Sequence, residues 1–262
     1  MMHKKTYIFA ALLLCFAFNS AAFAQNAASV DFRVNNKVMK ENQEVIAHGK
    51  TLFCEGMIFD FLESIDEVAV FEPQKSTFCI LDLKTRKKLI VSAQDIDSNF
   101  ENLRQWGLTH SNDRVKAFFN PEFKINYRKK EKQYDFVSDV LTYRVSPMRA
   151  EDTNILGQYR YFARWSCKLN LLTTGPGART LFARMKVNDA IFNAGSLIER
   201  LELTITPQST RGITPRQIVL YSEYQYLPRL VASDLAAVQQ IKEFMEIFPE
   251  MTLDEYQQRF EK

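Results

Sequence analysis

Glycine, proline and histidine are scarce in this sequence, and cysteine is rare. Among 262 residues there are 8 Gly and 8 Pro, about 3% of each against average usages of roughly 7% and 5%. These counts exclude a collagen-like chain and a proline-rich linker, and 4 Cys exclude a disulfide scaffold. The 3 His occur without the Cys-x-x-Cys or His-x-x-x-His spacing of a zinc site, so we expect no metal ion and no cofactor.

Apolar residues, by contrast, are plentiful. They make up 46% of the chain against 25% charged residues, a balance that excludes intrinsic disorder. Of these residues 21 are Phe, which predicts a core built largely from aromatic rings.

Residues 1–24 have the pattern of a secretory signal peptide. Lys4 and Lys5 form the basic start, an apolar run follows, and Ala22-Phe23-Ala24 precedes the expected cleavage site at Gln25. We therefore predict an exported mature protein, periplasmic or secreted, that forms a single α+β half-barrel domain over residues 25–262.

A lipid anchor at Cys15 is the alternative, but Leu14 stands where a lipidated cysteine needs a small residue. No later run reaches the ~20 apolar residues of a membrane-spanning helix, so we predict no transmembrane segment in the mature chain. Without the signal peptide, Lys and Arg fall from 34 to 32 while Asp and Glu stay at 31. This near neutrality lacks the basic footprint of a nucleic-acid-binding protein, and we predict no nucleic-acid partner.

The apolar periodicity changes several times along the chain. Alternation predicts a half-buried strand at Val30–Met39, and residues Thr51–Leu62 are interpreted as one longer strand that is apolar on both faces. Further strands are predicted at 68–71, 78–81, 89–91, 123–127, 134–138, 141–145, 197–206 and 217–227. Helices are predicted after N-cap residues Ser92 and Ser233, at 113–119, at 151–172, and in a segment that ends at 193. The pattern predicts an α+β fold, in which helices cover one face of a large curved antiparallel sheet that forms an incomplete barrel.

Three cysteines, Cys54, Cys79 and Cys167, remain in the mature chain. Cys54 and Cys79 both lie in strand-like segments and could pair, since an exported compartment permits disulfides. The favoured interpretation is that all three are small buried residues.

Catalytic motifs are missing from the mature chain. It has two histidines, His48 and His110, and no Gly-x-Ser-x-Gly segment, so nucleophilic catalysis lacks its usual groups. The acids Asp60, Glu63, Asp66 and Glu67 cluster near one predicted turn, and a hydrolase would need two of them to converge in a cleft. We predict a protein without enzymatic activity and without catalytic residues.

The order of elements resembles the bacterial LolA/LppX-type lipoprotein carriers. The resemblance rests on an opening strand, a meander whose turns include Phe71-Glu72-Pro73-Gln74-Lys75, the segment Ile80-Leu81-Asp82 with its basic turn, and helices inserted in a large sheet. It implies a half-barrel whose helices form a lid over an apolar hollow that holds acyl chains.

The apolar strand at Thr51–Leu62 motivates a first hypothesis, a binding protein that holds a lipid, an acyl chain or a lipoprotein in an apolar hollow. The residues predicted to line this hollow are Phe53, Met57, Phe59 and Phe61 from one face of the strand, and Phe162, Phe182 and Met185 from the covering helices. The alternative is a structural or partner-binding envelope protein with a solid core. It predicts an exposed aromatic patch at Tyr161 and Trp165, since Tyr, Trp and Arg dominate interaction hot spots.

Overall fold

A computed structural model describes residues 29–172, 180–206 and 217–260 of the chain. The predicted signal peptide, residues 1–24, lies outside this part. Within it, eleven antiparallel strands form one sheet. The strands are β1 (Phe32–Lys40), β2 (Val45–Cys54), β3 (Met57–Leu62), β4 (Glu67–Glu72), β5 (Thr77–Asp82), β6 (Lys87–Ser92), β7 (Lys124–Arg128), β8 (Gln133–Val137), β9 (Leu141–Arg149), β10 (Ser196–Ile205) and β11 (Ile218–Leu227).

The strand order across the sheet is β6-β5-β4-β3-β2-β1-β11-β10-β9-β8-β7. Two antiparallel meanders, β1–β6 and β7–β11, therefore join where β1 pairs with β11. In the described part of the chain β6 and β7 are the two edges and do not pair with each other, so the sheet is not closed into a barrel. The prediction of an α+β fold around a large, unclosed antiparallel sheet with helices is confirmed.

Six α-helices of the described residues accompany the sheet. They are α1 (Ala93–Thr109), α2 (Asp113–Phe119), α3 (Thr153–Leu169), α4 (Leu181–Asn193), α5 (Ala232–Ile247) and α6 (Leu253–Gln257). The first pair connects the two meanders, the second pair connects β9 to β10, and the last pair follows β11. None of these helices is both long enough and apolar enough to cross a membrane.

The strands direct alternate side chains to two faces of the sheet. On the face that we call the inner face, Phe53 packs with Phe162 of α3. On the opposite, outer face, Phe59 packs with Val238 and Ile241 of α5. Helices therefore cover both faces of the first meander. The sequence predicted helices on one face only, and α5 is the helix that lies on the other face.

The predicted strand Thr51–Leu62 is wrong as a single element. The chain reverses at Glu55 and Gly56, whose φ angles are 53° and 76°, and β2 and β3 form a hairpin across this two-residue turn. Positive φ at both turn residues is what a tight hairpin requires, and glycine supplies it without steric cost. The alternation of apolar residues runs through the turn without a visible interruption, which is why the pattern indicated one strand.

Of the two N-cap residues predicted from the sequence, one is confirmed and one is wrong. The hydroxyl of Ser92 accepts the backbone N–H of Asp95 at 3.0 Å, so the predicted N-cap of α1 is confirmed. The predicted cap at Ser233 is wrong, because α5 begins at Ala232. There the carboxylate of Asp234 accepts the backbone N–H of Val231 at 3.1 Å.

The C-terminal segment covers the β6 edge and then folds over the inner face. Lys88 bonds through its backbone to Pro249 at 2.9 Å and to Met251 at 2.8 Å. Beyond it, Tyr256 of α6 packs on Ala69 and other inner-face residues. The end of the described chain thus becomes part of the core of the first meander.

Candidate functional site

The seven residues predicted to line a hollow lie in three separate clusters. Phe53 and Phe162 belong to the inner-face core, whereas Met57, Phe59 and Phe61 lie on the outer face beneath α5. Phe182 and Met185 of α4 pack with Phe100 of α1 in a third cluster. The prediction that the four strand residues share one face is wrong, because the hairpin turn places Cys54 opposite Met57 and Phe53 opposite Ile58.

Aromatic rings fill the inner-face core. The ring of Phe53 stacks on Phe32 at 4.0 Å between centroids and meets Phe162 edge-on at 5.7 Å. Phe71 and Phe78 stack in the same way at 4.2 Å. These rings therefore touch one another directly, as side chains do in a close-packed core.

The two residues predicted to form an exposed patch differ in burial. Tyr161 is 40% exposed, whereas Trp165 is 9% exposed and lies 5.4 Å from the ring of Phe78. The prediction of a joint exposed patch is therefore wrong, because Trp165 lies on the face of α3 that contacts the sheet.

Beyond the aromatic core, the inner face continues across β11, β1, β2 and β3. Its apolar side chains are half-buried here, and no core cluster of the described residues includes Val38, Ala47, Leu62 or Leu220. Val38 lies directly opposite Ala47 on one neighbouring strand and Ser222 on the other. We call the inner-face floor the set Asn36, Val38, Ala47, Asp60, Leu62, Leu220, Ser222 and Tyr224.

Asp60 is the acidic group of this floor. Its carboxylate accepts a hydrogen bond from the hydroxyl of Thr51 at 2.7 Å. Burial disfavours the charged form and raises the pKa of Asp60 from 3.8 to about 6, although the Thr51 hydroxyl acts in the opposite direction. The amide oxygen of Asn36 is also buried on this face and has no hydrogen-bond partner among the described residues. Such polar groups are costly to bury unpaired.

A cation lies beside the same floor. Arg184 of α4 donates to the hydroxyl of Tyr224 at 3.1 Å and to the amide oxygen of Asn188 at 2.8 Å. No carboxylate of the described residues lies within ion-pair distance of Arg184. Tyr224 is directly opposite Asn36, so the guanidinium adjoins the polar end of the floor.

The predicted carboxylate cluster is divided between the inner face and the surface. Asp60 lies on the inner face, Glu63 pairs with His48 at the surface at 3.1 Å, and Glu67 is held by Arg259 at 3.1 Å. No group of three His, Cys, Asp or Glu residues in the described ranges is arranged to hold a metal ion. Asp60 and Glu67 lie on neighbouring strands of the inner face, where Asp60 is opposite Ala69 and Glu67 is opposite Leu62.

The three cysteines are free and buried. Burial raises the pKa of Cys79 and of Cys167 to about 11, which keeps both thiols protonated and poorly nucleophilic at neutral pH. They are small buried residues, which is the interpretation that the sequence favoured.

A polar groove of about 240 Å³ lies over the second meander and β1. Its charged side chains are paired with each other: Arg144 with Glu202 at 3.0 Å, and Arg200 with Glu223 at 2.5 Å. The described residues that line the groove therefore present no unpaired charge to a ligand.

Sequence reasoning missed the inner-face floor for a specific reason. Its residues alternate with outward side chains on four strands, and only the pairing of those strands brings them together. The available signal is the position of the charged Lys37 between Asn36 and Val38 on β1, and the matching face of β3 follows once the turn at Glu55-Gly56 is recognised.

The fold and the floor define an α+β protein with an open sheet and a half-buried apolar surface beside a polar end. Protein-family models give no match to this chain, and curated proteins give no significant match. The resemblance to the LolA/LppX carriers stays a prediction.

We expect Asp60→Asn to be more stable than the parent protein at about pH 8, by ~1–2 kcal/mol, because the amide removes a buried charge. The folded pKa of about 6 lies above the ordinary 3.8, so the folded state binds more protons between these values. Stability of the parent protein therefore falls as pH rises through this window, and the advantage of the variant disappears below about pH 4. Urea unfolding across this range measures it.

Glu63→Gln is the control, because its carboxylate lies at the surface. A variant at Asp60 that is destabilised equally at every pH would contradict the assignment of a buried, protonatable carboxyl group.

Proposed function

We propose that this protein is an exported, non-enzymatic binding protein that holds an acyl chain on the inner-face floor. The observation that carries the proposal is the set of half-buried apolar side chains on four neighbouring strands that lie outside the aromatic core. A ligand that covered them would gain about 25 cal/mol for each Å² of apolar surface removed from water. Apolar surface beside a few polar groups is typical of small-molecule sites.

The polar end of the floor supports a ligand with an anionic head group. Arg184 is half-buried and its partners Tyr224 and Asn188 are neutral, so a carboxylate or phosphate of a ligand would meet a positive charge that no carboxylate of the described residues compensates. Charge-assisted hydrogen bonds of this kind are about twice as strong as neutral ones. The acyl chain would then extend across Val38 and Leu220.

Native mass spectrometry of the mature chain, followed by titration with palmitate, tests this proposal. We expect co-purified lipid or saturable palmitate binding. Val38→Asp should bind palmitate at least about tenfold more weakly, because the bound acyl chain would remove water from the new carboxylate. Ile90→Asp is the matched control, since Ile90 is an exposed apolar residue on β6 outside the floor. Equal palmitate binding by both variants would contradict the site.

A solid-core envelope protein that binds a protein partner is the second candidate. The packed rings of the inner-face core favour it, because they leave the originally predicted hollow filled by the protein itself. Absence of lipid after gentle purification, together with no palmitate binding, would decide for this candidate.

A further inference from the structure

The two edges of the sheet differ in what covers them. The β6 edge is covered by the backbone of residues 249–251. No strand of the described residues pairs with the free side of β7, which ends the strand order. An uncovered edge presents backbone N–H and C=O groups that can accept another strand.

Large apolar side chains remain exposed at this uncovered edge. Ile125 is 53% exposed and Tyr127 is 51% exposed. Both lie on the inner-face side of the hairpin, directly opposite Phe136 and Tyr134, which belong to or pack against the core of the second meander. A strand added to β7 could therefore extend the apolar inner face by one strand.

The charge around the β7 edge is positive, because residues 122–132 contain five Lys or Arg against Glu122 and Glu131. Lys124 lies on the strand itself, and the turn after it contains Lys129, Lys130 and Lys132 with the single acid Glu131. None of these four lysines has a carboxylate of the described residues within ion-pair distance. Among the described residues, the edge thus combines a backbone without a strand partner, two exposed apolar side chains and lysines without an ion-pair partner.

These features argue against a second copy of this chain as the occupant. An antiparallel copy of β7 centred on Asn126 would place Lys124 opposite Arg128, and like charges directly opposite destabilise a strand pair. The same charges favour a strand of opposite sign, because complementary potentials steer and select partners.

We propose that the β7 edge binds an extended acidic segment of a partner protein as a twelfth strand of the sheet. Backbone hydrogen bonds to Lys124–Arg128 supply the pairing, as in other cases of strand addition. Apolar side chains of the segment lie beside Ile125 and Tyr127, and its acidic side chains alternate onto the other face beside Lys124. This interaction surface is distant from the inner-face floor in the strand order and is independent of acyl binding.

The test uses the mature chain and a fluorescent peptide of about nine residues that alternates Glu with Val. We expect saturable binding by fluorescence anisotropy and protection of the β7 amides from hydrogen exchange. Raising the salt from about 0.1 M to about 1 M shortens the Debye length from about 10 Å to about 3 Å and should weaken binding. A peptide with Lys in place of Glu should not bind.

Two variants and one modified peptide separate the contributions. Lys124→Glu should weaken binding about tenfold, whereas Lys84→Glu, an exposed lysine in the turn before the covered β6 edge, should leave it unchanged. N-methylation of alternate peptide amides should abolish binding if the backbone pairs. Unchanged binding of the N-methylated peptide, no binding of the acidic peptide, dimerisation through β7, or binding of anionic vesicles in place of the peptide would each overturn the proposal.

Discussion

Arg259→Met is expected to destabilise the protein by about 3–5 kcal/mol, the cost of leaving buried carboxylates without their cation. Arg259 lies in the 3₁₀ turn Gln258–Phe260, donates a hydrogen bond to Glu67 and forms an ion pair with Asp82, each at 3.1 Å. These acids are opposite each other on β4 and β5, and both are at most 4% exposed. Methionine keeps much of the side-chain volume, so the loss reports on charge rather than on packing.

The pH dependence of this loss has a definite sign. Burial raises the pKa of Glu67 above its ordinary value, and Arg259 opposes that shift. Without Arg259 the folded pKa rises further, so the folded variant binds more protons than the unfolded chain in the window above the ordinary value. We therefore expect the deficit of the variant to be largest at about pH 8 and to shrink as the pH falls toward about 5.

Urea unfolding at both pH values measures the effect. Lys242→Met is the matched control, because Lys242 pairs with the exposed Glu55 and such surface pairs contribute about 0–1 kcal/mol. If Arg259→Met cost no more than this control, the C-terminal segment would not be anchored by its buried ion pairs.

Phe53→Ala should cost about 3–5 kcal/mol, the range for removing a buried aromatic ring. The side chain is 1% exposed and contacts the rings of Phe32 and Phe162. A ring that lined a ligand-filled hollow would lose far fewer protein contacts when truncated. The size of this effect therefore distinguishes a core residue from the ligand-binding residue that the sequence predicted.

Val38→Ala is the comparison for Phe53. Val38 is half-buried on the inner-face floor and belongs to no core cluster of the described residues, so its truncation should cost less than about 1 kcal/mol. A loss below about 1 kcal/mol for Phe53→Ala, measured by the same urea titration, would contradict the solid aromatic core.

The predictions for Arg259→Met and Phe53→Ala concern two regions of the inner face that differ from the inner-face floor. The aromatic core and the Arg259 anchor stabilise the fold and tolerate little change. The inner-face floor is half-buried and its aliphatic residues belong to no core cluster of the described residues, so we expect it to contribute less to stability. For this reason the proposed acyl site is tested on Val38, and the proposed strand partner is tested on Lys124.

Local patterns determined the class of this protein. Period-two alternation predicted the strands of a large antiparallel sheet, and Ser92 as an N-cap residue predicted the start of α1. These predictions succeeded because strand and helix periodicity are written in neighbouring residues.

Tertiary pairing decided what the pattern left ambiguous. The turn at Glu55-Gly56 reverses the chain within a continuous apolar run, and this single reversal transfers Met57, Phe59 and Phe61 to the face opposite Phe53. A shift of one residue exchanges the two faces of a strand, so an unrecognised turn changes every assignment after it. Contacts such as Arg259 with Glu67 span 192 residues and leave no local signal.

By itself, then, the sequence determined an α+β chain with an aromatic-rich core and an open antiparallel sheet. The tertiary structure decided which rings fill that core, which strands form the half-buried inner-face floor, and which edge of the sheet the C-terminal segment covers. The physical reason is that alternation specifies two faces for each strand, whereas the partner that covers each face comes from residues far away in the chain.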